Sequence, residues 1–281
     1  MASTNTRRLD LVILGSGSAA FAAAIKAADL GAKVAMTEYD QIGGTCVNRG
    51  CIPSKNLIAA AELVYKSEHP PFEGLEGKRL GVDFAKLMRQ KDELVEQLRA
   101  KKYIDIVNSD ENIELVVSGK ARFLSNKAVR AGDTVLEAEK FLIATGSRPS
   151  VPPIQGLRET GFLNSRQAFE LTELPKSLLV IGGGYVALEM SQMFQRLGTQ
   201  VTMLVRSQIL RGFEPDVVHA LQSYLEEEGI QIITGAPVVL VERDERGILA
   251  HADVAGERRK FRGEQLLVVT GRTPNSDGLR L

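Results

Sequence analysis

The 281-residue chain has no tryptophan and only 5% aromatic residues, which points away from base-stacking platforms for single-stranded nucleic acid. Its 35 basic and 35 acidic residues cancel, leaving neither a basic nucleic-acid footprint nor a polybasic membrane-facing surface. Two cysteines are too few for a secreted disulfide framework. Long apolar runs are missing as well. Arg7 and Arg8 precede an apolar stretch in the manner of a secretory signal, but Asp10 intervenes and the Gly-Ser-Gly-Ser of residues 15–18 splits the run. The expectation is a cytoplasmic chain with no transmembrane span, no nucleic-acid partner and no membrane partner. What is present is 44% hydrophobic and 25% charged residues with 26 glycines, the composition of a globular protein with close-packed α/β turns and room for two mid-sized domains.

The chain echoes itself. LDLVILGSGSAAFAAAIKAADLGAKVAMTE (residues 9–38) and SLLVIGGGYVALEMSQMFQRLGTQVTMLVR (residues 177–206) share one plan: apolar strand, glycine-rich turn, helix, second strand. That is the context in which a GxGxxG-like string binds a dinucleotide. Between them the sequence predicts a helix over 53–66 opened by Pro53, a loop over 69–82, and a helix over 84–107 whose Leu87, Met88, Leu94, Val95 and Leu98 form a core stripe. Short strands are expected over 113–144, then a Pro-rich connector and helical turns near 165–172. A helix over 214–228, strands to about residue 262 and the strand LLVVTG follow. The fold class read from this order is α/β, with two Rossmann-like three-layer domains carrying small antiparallel β-meander insertions. The expected boundaries are 1–150 for the first domain, 151–272 for the second, and 273–281 for the start of a return to the first.

In the first unit Gly15 permits the tight turn, Gly17 lets the backbone approach a pyrophosphate, and Ala20 allows close helix packing. The helix start then offers unpaired amides and a positive dipole end to the phosphates. Glu38, 21 residues after Gly17, closes the second strand where a carboxylate accepts from a ribose hydroxyl pair, as in FAD or NAD. The second unit uses Gly182, Gly184 and Ala187. At the strand-end position it carries Arg206, with Arg211 on the following loop; guanidinium pairs with a 2′-phosphate, so NADP(H) is favoured there over NAD(H).

The only cysteines, Cys46 and Cys51, lie in GGTCVNRGCIPSK (residues 43–55). Zinc needs about four ligands and His69, His219 and His251 are scattered, which disfavours a structural metal. A catalytic dithiol/disulfide accounts best for the pair, the alternative being two inert thiols. Cys51, at the start of a helix, is expected to be the buried partner with a dipole-stabilised thiolate, and Cys46 the more accessible exchanging thiol.

GSGSAA, GGTCVNRGCIPSK, LIATGSRP (142–149), IGGGYVALE and TGRTPN (270–275) occur in the order seen in flavin-dependent pyridine nucleotide-disulfide oxidoreductases, and the chain resembles that family over essentially its whole length. Within it, SAAFAAAIKAADLGAKV beside GTCVNRGCIPSK, together with KKYIDIV (101–107), is most similar to mercuric reductases, while GCIPSK is shared with dihydrolipoyl dehydrogenases. The resemblance implies FAD and NADPH as cofactors. It implies FAD contacts from Ala20, Asp40, Gly44, Thr45, Ala121, Thr145 and Gly146, and nucleotide contacts from Gly271 and Arg272. Lys55 would pair with Glu189 and offset negative charge on reduced flavin, and Tyr185 would cover the flavin face that nicotinamide approaches. Electrons would pass from NADPH through FAD to Cys46 and Cys51. The reduced pair would then bind Hg(II) as substrate and the metal would leave as Hg(0). A dihydrolipoyl dehydrogenase or glutathione-reductase-like disulfide reductase is the rival activity, and an inactive nucleotide-binding fragment the rival of another class. Family members continue past Pro274 into a second FAD-contacting strand and a dimerisation domain, so a truncated form of a homodimeric protein is expected.

Overall fold

The computed structural model describes residues 7–281; residues 1–6 of the expected first domain, and the side chains of Arg7 and Arg8, lie outside the described residues. In chain order the first elements are β1 (Arg7–Leu14), α1 (Ser18–Asp29), β2 (Val34–Glu38), α2 (Gly44–Arg49), α3 (Cys51–Glu68), α4 (Phe84–Arg99) and α5 (Asp105–Ser109). Then come β3 (Ile113–Val117), β4 (Ala121–Ser125), β5 (Ala128–Ala131), β6 (Thr134–Ile143), β7 (Ser147–Pro149), α6 (Leu157–Thr160), α7 (Ser165–Ala168), β8 (Ser177–Ile181), α8 (Tyr185–Leu197) and β9 (Gln200–Leu204). The chain finishes with α9 (Pro215–Glu227), β10 (Gln231–Ile233), β11 (Val238–Asp244), β12 (Gly247–Val254), β13 (Glu257–Gly263), β14 (Gln265–Val268) and β15 (Arg272–Pro274).

Two compact units result. The first takes the residues up to Ile52, Asp92–Arg148 and Thr273–Leu281; the second takes Pro53–Lys91 and Pro149–Arg272. In the first, a six-stranded sheet runs β3-β2-β1-β6-β5-β4. β1 pairs in parallel with β2 and with β6, whereas β5 pairs antiparallel with both β4 and β6, so a meander extends the parallel core. Val12, Ile13 and Leu14 are all fully buried because helices or neighbouring chain cover both faces of a central parallel strand. Leu14 and Val12 join one core cluster with Leu136 and Val129; Ile13 joins the other with Phe21 and Ala24 of α1.

The second unit holds the parallel sheet β10-β9-β8-β14 and a separate antiparallel meander β11-β12-β13. The α/β class with paired dinucleotide-type sheets and meander additions is therefore as the sequence predicts. Leu57, Ala61 and Val64 of α3 and Phe84 and Met88 of α4 share a core with Met190, Phe194 and Leu197 of α8, and that burial ties residues 53–91 to the second unit.

Three local expectations need correction. The helix predicted from Pro53 begins two residues earlier, at Cys51, and runs to Glu68. The helix predicted over 84–107 is interrupted by a π-helical turn at Ala100–Ile104, a feature apolar periodicity does not report. Near 165–172 only Ser165–Ala168 is helical, closed at its start by a capping box between Asn164 and Gln167. The charged stripe of α4 also hides an exception: Lys91 is 4% exposed, its Nζ donating to the Phe169 carbonyl at 2.6 Å.

Candidate functional site

The first glycine turn is shaped by backbone constraints. Gly15 has φ +118°, and a Cβ there would lie 2.3 Å from the Ala144 carbonyl oxygen, since the chain passes directly over the end of β6. Gly17 caps α1 with no side-chain hydrogen bond and no acidic residue in the first turn. The first amides of α1 are thus free of a competing carboxylate and suited to an anion. Ala20 is fully buried in the core under the turn.

The same turn fastens the cysteine segment. Gly43 N–H donates to the Ser16 carbonyl at 2.9 Å, and a Cβ on Gly44 (φ +65°) would lie 2.6 Å from Gly17 Cα. α2 therefore starts against the glycine turn, carrying Thr45, which is exposed, and Cys46. Glu38 closes β2 in a pinned pose: Oε2 accepts from Ser16 Oγ at 2.5 Å, and Oε1 from the amides of Tyr39 and Asp40, both at 2.8 Å. Asp40 is held in turn by an ion pair with Arg49.

Beside Glu38 and Gly15 opens a cavity of about 650 Å³ whose wall includes Thr37, Ala121, Thr145 and Asn275. Asn275 ties that wall together, its N–H donating to the Gly146 carbonyl at 3.0 Å and its Nδ2 to the Thr145 carbonyl at 2.9 Å. A close-approach glycine turn, an open helix start, a strand-end carboxylate and a cavity, all in one unit, fit the adenosine-diphosphate half of a flavin dinucleotide.

Both cysteines are free thiols. Burial and a hydrogen bond with Cys51, reinforced by that neighbour's negative charge, push the Cys46 thiol up from 9.0 to about 11, against the weaker opposing pull of Lys102. The expected burial order is reversed. Cys46 is half-buried and Cys51 is exposed, because Cys46 sits within α2 whereas Cys51 opens α3. Lys102 was not foreseen as a neighbour of the pair. The π-helical turn brings its residues here, as Tyr103 also shows by lying 3.1 Å from the Cβ position of Gly43 in the cysteine segment. Cys51→Ala removes one source of the upward push, so the alkylation pKa of Cys46 should fall from about 11 toward its ordinary value. Iodoacetamide labelling against pH, read by mass spectrometry, checks this; an unchanged profile contradicts the coupling.

The second unit repeats the turn. Gly182 has φ +145°, with a Cβ position 2.5 Å from the Val269 carbonyl oxygen, and Gly184 caps α8 at φ −89°, ψ −179°, close to the −83°, −178° of Gly17. Ala187 is fully buried, matching Ala20. Arg206 and Arg211 are both exposed on the chain that follows β9. Tyr185, 62% exposed, meets Phe213 edge-on at 5.7 Å. Lys55 Nζ and Glu189 Oε1 form an ion pair at 2.5 Å. Gly271 (φ +139°) precedes Arg272, the first residue of β15. Among the described residues, no group of three or more His, Cys, Asp or Glu side chains could hold a metal, and no helix is long and apolar enough to cross a membrane.

Comparison with known proteins identifies the family. The family model for pyridine nucleotide-disulphide oxidoreductase matches residues 9–280. A mercuric reductase of Lysinibacillus sphaericus is 42% identical over 282 aligned positions, covering 100% of this chain and 51% of the relative. One from Streptomyces lividans is 42% identical, with 97% and 58% covered. The chain thus spans about half the length of the curated relatives it matches. Among solved structures, the HOCl-induced flavoprotein disulfide reductase RclA of Escherichia coli, in its Cu(II) complex, is similar with a TM-score of 0.85 and 30% identity, covering 97% of this chain and 58% of that one.

Proposed function

The chain belongs to the pyridine nucleotide-disulphide oxidoreductase family, and from that footing we propose that it carries electrons from NADPH through FAD to Cys46 and Cys51 and reduces Hg(II) to Hg(0). Membership of the family implies FAD and a pyridine nucleotide. The observation that carries the proposal is a hydrogen-bonded pair of free thiols on a segment fastened to the Gly15–Gly17 turn. Mercuric reductases at 42% identity supply the substrate class.

Residues up to about 150 hold FAD in this reading. The α1 start would take its diphosphate, Glu38 would accept from its ribose, and Asp40, Gly44, Thr45, Ala121, Thr145 and Gly146 would contact it. Residues 151–272 would hold NADP(H), Gly182 and Gly184 taking the diphosphate, Arg206 and Arg211 the 2′-phosphate, with further nucleotide contacts from Gly271 and Arg272. Bound together, the two cofactors supply hydride and two-electron chemistry.

The protein's part is to present sulfur. Hg(II) is a soft ion, and Cys46 and Cys51 bind it as two thiolates, losing two protons. The raised pKa of Cys46 opposes loss of its proton, a cost that binding of the soft ion has to offset. In the balance NADPH loses two electrons and becomes NADP⁺ with release of one proton, Hg(II) gains both electrons and leaves as Hg(0), and the thiolates are unchanged. Lys55 with Glu189 keeps the role of a charge partner for reduced flavin, and Tyr185 that of a movable cover at the nicotinamide site. The whole protein is read as a cytoplasmic homodimer.

To test the reading, the purified chain is loaded with FAD and NADPH oxidation is followed with a Hg(II)–thiol complex, glutathione disulfide or lipoamide as acceptor. A visible flavin band and oxidation specific to Hg(II) are expected. A flavin-loaded chain that reduces the disulfides but not Hg(II) supports instead the activity named for the solved relative. Arg206→Glu should weaken NADPH by about 1.5–3 kcal/mol, roughly 10- to 160-fold, through loss of a charge-assisted phosphate contact. Equal use of NADH and NADPH by the unaltered chain would remove that assignment.

A further inference from the structure

The cavity beside Glu38 has an electrostatic imbalance that the site as described leaves unexplained. Its wall carries Lys120, Arg122, Arg130 and Arg148 against the two carboxylates Glu38 and Asp277. Asp277 pairs with Arg148 at 2.5 Å, and Glu38 is held in place by Ser16 and two backbone amides. Lys120 stands over the ring of Tyr39, 5.4 Å from its centroid. Arg122 and Arg130 remain.

They occupy directly opposed positions of an antiparallel pair, Arg122 on β4 and Arg130 on β5. Side chains so placed share a face of the sheet, with Cβ atoms about 5 Å apart, and like charges there destabilise the pair. Their neighbours Val129 and Ala131 are fully buried, so the strand is fixed and the two guanidiniums cannot separate by register slip. Arg130 Nε is itself buried and has no hydrogen-bond partner. A buried charged donor without an acceptor is costly, as is a like-charge pair without a counter-ion, and both costs vanish when an anion with acceptor atoms occupies the cavity.

Resting on the flavoprotein reading above, we propose that Arg122 and Arg130 hold the adenosine-diphosphate portion of FAD, with Arg130 Nε donating to it, and so serve as specificity residues for the dinucleotide. Repulsion in the free chain becomes attraction in the loaded one. The same two residues should therefore act in opposite directions on stability and on affinity, which residues serving only the fold would not do.

The test compares the unaltered chain with Arg130→Met and Arg122→Met, measuring FAD affinity by titration of the stripped chain, competition by ADP, and the melting temperature without cofactor. For each variant the expected result is FAD and ADP binding weakened about 10- to 100-fold with a shallower salt dependence, together with an unchanged or raised melting temperature of the stripped chain. FAD binding within twofold of the unaltered chain in both variants overturns the proposal. So does weakened binding accompanied by a lowered melting temperature in both, which assigns the arginines to the fold. If the unaltered chain takes up no FAD, the flavoprotein reading itself fails, an outcome distinct from either.

Discussion

Gly15→Ala is expected to abolish FAD uptake and to cost the first unit on the order of 2–6 kcal/mol, combining about 1–3 for a side chain at positive φ with about 1–3 for overpacking. The second contribution is unavoidable here, because the atom 2.3 Å from the new Cβ is the backbone oxygen of Ala144 at the end of the central strand β6, and no rotamer change relieves it. Ala144 N–H already donates to the Leu14 carbonyl at 2.9 Å, so retreat of that strand end would break sheet pairing as well. A domain with a total stability of about 5–15 kcal/mol would survive such a loss only in part. Gly31→Ala is the matched control: its φ is +84° but nothing lies within 4 Å of the added atom. It should cost only about 1–2 kcal/mol, the dihedral part alone. Chemical denaturation of both variants measures the difference. Equal losses would mean that the close approach at Gly15 is not what shapes the turn.

Replacing either Cys46 or Cys51 by Ser should lower NADPH-dependent Hg(II) reduction on the order of 10³-fold or more, since groups that act as a unit fail together. A serine hydroxyl is a hard ligand that stays protonated at neutral pH, so it neither chelates a soft ion nor accepts electrons. Both substitutions are nearly isosteric, and Cys51 is exposed, so folding should be unaffected. Bleaching of the flavin by NADPH should persist in both variants, separating delivery of electrons from their use. Substantial Hg(II) reduction by both single variants would refute the relay through sulfur.

The sequence discloses the parts that depend on local pattern. The two βαβ repeats, the glycine turns and the strand-end residues Glu38 and Arg206 are spelled by short-range spacing, and the structure sets Gly17 and Gly184 in nearly identical backbone conformations. Lys55 and Glu189 meet although 134 residues separate them, which only the family resemblance anticipated. Features that need tertiary information were hidden. The burial of Cys46 relative to Cys51 depends on where two short helices end, and one-dimensional reasoning set that order backwards. The π-helical turn that brings Lys102 and Tyr103 to the cysteine segment has no periodic signature. The buried Lys91 looks in sequence like any charge on an amphipathic helix. Arg122 and Arg130 become a pair only through the β4–β5 register, and a hairpin shifted by one residue would have separated them.

Whether reducing equivalents from NADPH reach the two sulfurs is decided by counting thiols. The FAD-loaded chain is first oxidised until Cys46 and Cys51 resist alkylation, then treated anaerobically with one equivalent of NADPH and labelled for mass spectrometry. Both cysteines should become labelled, two thiols for each NADPH consumed. Consumption of NADPH with flavin bleached and both cysteines still unlabelled would contradict it.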